Sequence, residues 1–553
     1  MTASVNIQYE QSDPPGNEKG SGQGAPLGNV TGGRLIPRVR SVKFLGRTQR
    51  QMNLRPYQGE AVAGVLKSWR DFDRALGVAP TAAGKTVIFA KIIEARLDNG
   101  PCLVLAHRDE LLQQAREKLH AACGLESQLE KAESYADLDA KVVVGSVQTL
   151  YRRVERFPAN HFRTVIVDEA HRTLADSYLK VLGRFSQAKV LGVTATPDRG
   201  DKKTLGSFYQ DIAFEIGLIP LILAGYLARI RVQTVPLKID LSRVKTRAGD
   251  YAEEDIGGAL EPLLEQIADE LAIHAPDRKT LVFAPLVRTS EQFAGILRSR
   301  GFAAEMICGD SRDRSEILAR FKTGKTQVLV NAMLLTEGYD EPSIDCVLVL
   351  RPTKVRSLYA QMVGRGTRTF PGKADLLLLD FLWLTNRHDL VKPANLIAEN
   401  EVEASRITKA IAQGSEDLIE AQAKAQRDHT EMLAESLRHA ATKSARTMDL
   451  VEFALSLGSP QLTEYEPTMS WHSDPVSPRQ RELLERAGLD PDRVSGKGQA
   501  SAIIDKLILR RNLGLATAKQ VRQLMRLRHP SPHRATFTEA SLFISQNLSL
   551  RRR

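Results

Sequence analysis

Short runs of consecutive apolar residues alternate with longer stretches in which apolar positions recur at helical spacing. Arg74-Ala-Leu-Gly-Val78 reads as a short buried strand, and residues 87–97 continue it with an amphipathic helix. Residues 164–167, Thr-Val-Ile-Val, are apolar throughout, as a central parallel strand covered on both faces should be. Residues 229–235 alternate and predict a strand; residues 260–274 predict a helix, and residues 280–284 open a second α/β set. From 397 to 446 the chain turns to Ala, Glu, Lys, Gln and Arg without proline, which predicts long helices forming a strut or hairpin against the preceding lobes. Residues 1–48, rich in Gly, Ser, Pro and Asn, read as a disordered tail.

The C-terminal segment carries an internal repeat. Ser477-Pro-Arg-Gln480 and Thr517-Ala-Lys-Gln520 both read as capping boxes, a hydroxyl N-cap with Gln at N3, and Pro478 suits the first helical position. Leu484/Leu524, Arg486/Arg526, Ser501/Ser541 and Ile504/Ile544 keep the same spacing of 40 residues, and Thr536 with Glu539 forms a further box. Two copies of a helical hairpin are expected, packed on each other or on the rest of the chain, since two units are few for a solenoid.

A length of 553 residues exceeds one hydrophobic core and predicts two α/β lobes with appendages. The expected boundaries are lobe one at 49–216, a connection at 217–250, lobe two at 251–385, a helical extension at 386–470 and a basic helical module at 471–553. The four cysteines, Cys102, Cys123, Cys308 and Cys346, form no C-x-x-C pair and suggest buried thiols in a reducing compartment. No apolar run approaches the ~18 residues of a membrane span, so a soluble, cytoplasmic protein without a membrane partner is expected. Charge sits at the ends. Residues 1–50 hold seven Lys/Arg against three Asp/Glu, and residues 471–553 hold sixteen against seven, so a net charge of +11 leaves about −2 for the middle. Such a distribution suits a polyanion partner. For the C-terminal module two readings stand: a grip on nucleic-acid backbone, or a surface for a protein partner.

The chemistry begins at Ala79-Pro-Thr-Ala-Ala-Gly-Lys-Thr86. A loop from strand to helix N-terminus presents unpaired N–H groups to phosphate, so Pro80, Thr81, Ala82, Ala83 and Gly84 are expected to wrap the phosphates of ATP. Lys85 would reach the β/γ-phosphates and Thr86 would sit on Mg²⁺. Many such loops carry glycine at position 82. Alanine enters positive φ at greater cost, so strain is expected there. Asp168 and Glu169 follow the apolar run at the carboxyl end of its strand, where ligands bind in open α/β sheets. Asp168 is placed to hold Mg²⁺, and Glu169 to orient and deprotonate an attacking water.

Further motifs follow in a recognisable order: Leu54-Arg-Pro-Tyr-Gln58, residues 103–111, residues 144–149, Asp168-Glu-Ala-His171, Gly192-Val-Thr-Ala-Thr-Pro197, Leu335-Thr-Glu-Gly-Tyr-Asp340 and Gln361-Met-Val-Gly-Arg-Gly-Thr-Arg368. On these, from about residue 54 to 380, the chain resembles the superfamily 2 DEAD/DEAH-box helicases and translocases. Within them it resembles the DNA-acting branch of RadD-like, UvsW-like and restriction-motor helicases. The resemblance implies two tandem RecA-like lobes with ATP in the cleft between them. It implies adenine contacts from Arg55 and Gln58, nucleotide contacts from Gly338 and Asp340, arginine fingers at Arg365 and Arg368, and a γ-phosphate sensor at Gln361. The three are expected on one helix face from their spacing. Residues 103–111 and 144–149 would hold nucleic-acid backbone. An ATP-driven motor on nucleic acid is thus expected, with DNA favoured over RNA and a role in repair, recombination or replication. A duplex translocase that never separates strands, an RNA helicase and a nucleotide-gated clamp are the alternatives. No nuclease pattern precedes the first lobe.

Overall fold

The computed structural model describes residues 54–107, 109–195, 205–239, 244–247, 250–336, 338–384, 390–440, 450–465, 467 and 470–550. The tail expected at 1–48 lies outside them, as do Arg108, Thr196, Pro197 and Glu337 of the motifs.

Seven strands form the first sheet: β1 (Arg74–Val78), β2 (Cys102–Ala106), β3 (Gln128–Glu130), β4 (Val142–Ser146), β5 (Thr164–Asp168), β6 (Lys189–Thr194) and β7 (Asp211–Glu215). Their order is β3-β4-β2-β5-β6-β1-β7, with every pairing parallel. The central strands are buried along nearly their whole length, as their unbroken apolar runs require. The fold matters for function because β6 lies between β5 and β1. Val78 pairs with Thr194, and Asp168 with Val193, so three carboxyl-terminal strand ends meet side by side.

The second sheet contains β8 (Ile230–Lys238), β11 (Thr280–Ala284), β12 (Ala304–Ile307), β13 (Val328–Ala332), β14 (Cys346–Val349) and β15 (Leu376–Leu384) in the order β12-β13-β11-β14-β15-β8, again parallel. A small hairpin, β9 (Thr246–Arg247) with β10 (Asp250–Tyr251), precedes it. Two tandem RecA-like lobes are therefore present. The segment expected only to connect them does more: β8 pairs with β15 from Ile230↔Leu376 to Lys238↔Leu384 and forms the edge of the second sheet. Its alternation marks a strand, but a partner almost 150 residues away leaves no trace in local pattern.

The helices Glu401–Ala412 and Leu418–Ala440 form the expected hairpin and dock beside this edge. Arg229 Nε lies 3.0 Å from Asp417 Oδ2, and Arg231 Nη1 lies 3.6 Å from Glu416 Oε2. Beyond them, helices Pro478–Ala487 with Lys497–Asn512, and Ala518–Arg526 with Phe537–Leu550, make the two predicted repeats. Gln480 Nε2 donates to Ser501 Oγ (3.0 Å) and Lys497 O (3.2 Å); Gln520 Nε2 donates to Ser541 Oγ (2.9 Å) and Phe537 O (3.2 Å). The first repeat shares a core with Phe453 and Leu457, whereas the second has its own small core of Val521, Leu524, Ala540 and Ile544.

Candidate active site

The loop after β1 enters helix Lys85–Arg96 through Gly84, whose φ of +77° only glycine adopts without strain. A side chain there would also collide, because a Cβ would fall 2.6 Å from Gln58 Nε2. Ala82 takes φ +68°, so the expected strain falls on 82 and not on 83. From behind, Tyr57 Oη and Gln58 Nε2 both donate to Ala83 O, at 2.8 and 3.3 Å. Gln58 Oε1 accepts from Arg55 N at 3.1 Å, closing the start of helix Pro56–Ser68. Arg55 lies over the Tyr226 ring, 4.9 Å from its centroid, and Tyr57 packs on the same ring at 5.2 Å. Burial raises the Tyr57 hydroxyl above its ordinary pKa and keeps it a donor. Lys85 Nζ reaches back across the loop to Ala79 O, 3.3 Å away.

Asp168 stands at the end of β5, and its Oδ1 accepts from Glu169 N at 3.1 Å. Glu169 is in the left-handed region at φ +55° and is nearly buried, with Oε2 3.4 Å from His171 Nδ1. Thr194, at the end of β6, buries a hydroxyl that has no hydrogen-bond partner among the described residues. It lies in register beside Val78 and next to Asp168's partner Val193, between the loop and the carboxylates.

From the second lobe comes helix Arg356–Gly364, with Gln361 buried in it. The two lobes touch closely at Gly364, where a Cβ would lie 2.4 Å from Thr81 Cβ of the phosphate loop. Gln114 of the first lobe also donates to Gly338 O. The expectation that Gln361, Arg365 and Arg368 share a helix face is corrected here. The helix stops at Gly364, Gly366 is pressed against Leu376, and Arg368 lies in extended backbone bridged to Leu227. Arg365 Nη1 donates to Tyr339 O at 2.6 Å, and Arg368 is ion-paired with Asp340. Motif spacing places these residues near one another, but the break after Gly364 decides their geometry.

On the same side of the first lobe, Gln148 Nε2 donates to His107 O at 3.1 Å. An open groove of about 270 Å³ runs here between His107, Val147, Gln148, His171, Arg172 and Tyr178. Residues from the two segments expected to hold nucleic acid thus line one groove together with the carboxylate turn. Sequence reasoning passed over Tyr57, Tyr226, Thr194 and Gly364 as site residues. Tyr57 and Thr194 lie inside quoted motifs, whereas nothing local marks Tyr226 as a neighbour of Arg55.

The comparisons with known proteins agree with this geometry. Residues 51–199 match the family described as type III restriction enzyme, res subunit, and residues 262–369 match the helicase conserved C-terminal domain. Over both lobes the chain is thus similar to helicase superfamily 2. Two curated helicases are similar over the lobes: the ATP-dependent helicase IRC3 of Saccharomyces cerevisiae, 31% identical over 62% of this chain and 53% of its own length, and the mitochondrial ATP-dependent helicase irc3 of Schizosaccharomyces pombe, 32% identical over 60% and 57%. The chain thus spans little more than half of these relatives. Among solved structures, the Type ISP restriction-modification enzyme LlaBIII bound to DNA shares the fold, with a TM-score of 0.50 and 16% identity over 84% of this chain and 42% of that one. Among the described residues, no helix is long and apolar enough to cross a membrane.

Proposed function

We propose that this chain is a superfamily 2 nucleic-acid-dependent ATPase that moves along DNA. The observation that carries the proposal is the close approach of Thr81 to Gly364, which brings the segment bearing Gln361, Arg365 and Arg368 to the phosphate loop at that glycine. The buried Thr194 hydroxyl between that loop and the carboxylates, without a partner among the described residues, supports a triphosphate with its metal ion at this place. Mg²⁺, held by Thr86 and Asp168, would neutralise phosphate charge.

The remaining chemistry falls to the chain. Tyr226, Tyr57, Arg55 and Gln58 offer a ring surface and an amide for adenine beside the loop. Lys85 exchanges Ala79 O for phosphate oxygens. Glu169, aimed by its left-handed backbone, takes the proton of the attacking water. Arg365 and Arg368 bring positive charge to the phosphoryl group across the cleft, Arg368 leaving Asp340 to do so. Because the arginines and Lys85 lie on opposite lobes, nucleotide binding closes the cleft and hydrolysis reopens it, and the groove at His107 and Gln148 is carried along with each cycle. The match of the first lobe to a restriction-enzyme family supports DNA over RNA as the track.

The test is steady-state ATP hydrolysis with no nucleic acid, single-stranded DNA, duplex DNA, forked DNA and RNA, with Lys85→Ala as control. Stimulation by a DNA form, lost in Lys85→Ala, is expected. Stimulation by RNA alone would overturn the DNA assignment, and hydrolysis indifferent to all of them would overturn the motor.

A further inference from the structure

Lys373 belongs to no motif, yet its ammonium is among the most heavily engaged in the second lobe. It follows the Gly372 turn (φ +84°), and its Nζ, with three N–H donors, lies within hydrogen-bond distance of four main-chain carbonyls: Pro342 O (3.4 Å), Ile344 O, Gly366 O (2.5 Å) and Arg368 O (2.8 Å). Those acceptors come from two separate stretches. Gly366 and Arg368 lie in the segment that carries the paired arginines. Pro342 and Ile344 lie just after Tyr339 and Asp340, which hold Arg365 and Arg368 in turn. One cation therefore ties together the backbone of both halves of the arginine site.

We propose that Lys373 is a positioning residue that fixes Arg365 and Arg368 for phosphoryl transfer by holding the 366–368 and 342–344 backbones at a set separation. The proposal rests on the ATPase reading above. Arg368 must exchange Asp340 for phosphate, and a side-chain swap of that kind is fast and reproducible only if the main chain beneath it stays still. Four carbonyls converging on one point would repel without the ammonium, so its removal displaces the loop instead of merely loosening a surface contact.

The groups facing Nζ are Asp345 and Asp375, which favour its charge, and Arg278, which opposes it. Arg278 is itself held by Asp375 at 2.8 Å and donates to Asp345 O at 2.9 Å. Burial outweighs the carboxylates and brings the Lys373 ammonium down to about 8. A neutral amine has two N–H donors for four acceptors. The folded chain then holds this proton less tightly than the unfolded chain, so between about pH 8 and about pH 10 this group adds stability as pH rises. Turnover moves the opposite way over that window.

The experiment uses the full chain. ATP hydrolysis at saturating DNA, KM for ATP and the thermal midpoint are measured for wild type, Lys373→Met, Arg368→Ala and the double variant. Expected for Lys373→Met is a fall in kcat of roughly 10–100-fold with KM for ATP nearly unchanged, and little further loss when Arg368→Ala is added. Wild-type kcat in Lys373→Met alongside an inactive Arg368→Ala overturns the role of Lys373 and leaves the ATPase reading intact. Full activity in Arg368→Ala overturns the arginine reading and this proposal with it. Should Lys373→Met not fold, the wild-type pH profile decides. A kcat that declines through about pH 8 while the thermal midpoint holds or rises is expected; a flat profile from about pH 7 to about pH 9.5, or a decline that tracks unfolding, overturns it.

Discussion

Ala82 turns the phosphate loop through φ +68°, and Glu169 turns the end of β5 through φ +55°. Left-handed backbone costs an L-residue about 1–2 kcal/mol, and glycine escapes that cost. Two non-glycine residues in this region, both expected to face the same phosphates, mark stored strain at a site held rigid by its surroundings. Tyr57 and Gln58, which grip Ala83 O, supply the hold. Ala82→Gly should raise stability by about 0.5–1 kcal/mol, the strain relief partly cancelled by the added freedom of the unfolded chain. Urea denaturation reads this directly; an unchanged or lower midpoint would mean the loop adopts another shape in solution. The sequence carries the alanine departure plainly. It also points to position 82 as the strained one, and Ala82 is where the positive φ falls; how Tyr57 and Gln58 pin the loop is not visible in it.

At the scale of elements, the C-terminal hairpins show what a repeat can reveal. The residues spaced by 40 include the clamps themselves: each Gln caps its own helix through the N-cap residue and reaches the Ser of the following helix. Since the second hairpin has a smaller core of its own and joins the first core only through Ala518, Gln520→Ala should loosen it locally by about 1–2 kcal/mol, the worth of a cap and its hydrogen bonds. Amide exchange over residues 515–550 should speed up while exchange over the first hairpin stays slow. Uniform acceleration across both would show that the repeats fold as one unit. Elements whose partners are distant were harder to read. Neither the pairing of β8 with β15 nor the helix stop at Gly364 has a local signature, the first being set by a long-range pairing and the second by the packing of Gly366 on Leu376 and Val347.

Across the whole molecule, the lobes meet where Gly364 passes Thr81, and the space there admits no Cβ. Alanine favours a helix over glycine by about 1 kcal/mol, so Gly364→Ala should leave the thermal midpoint level or higher. It should still lower turnover, because the second lobe would have to stand back from the phosphate loop. ATP binding, which the proposed site places mostly on the first lobe, should survive. Equal loss of binding and turnover would place the contact outside the working cycle. The β8 strand bears on how the protein can be divided. A fragment begun at residue 251 would bare the β15 edge, Leu-Leu-Leu-Leu-Asp-Phe-Leu-Trp-Leu, as an open template for strand addition between molecules. The smallest soluble second lobe therefore starts upstream of Ile230, and it must reach as far as Glu416 and Asp417 to neutralise the arginines that β8 brings with it. What reads as a linker along the chain is, for anyone expressing its parts, the guard against aggregation.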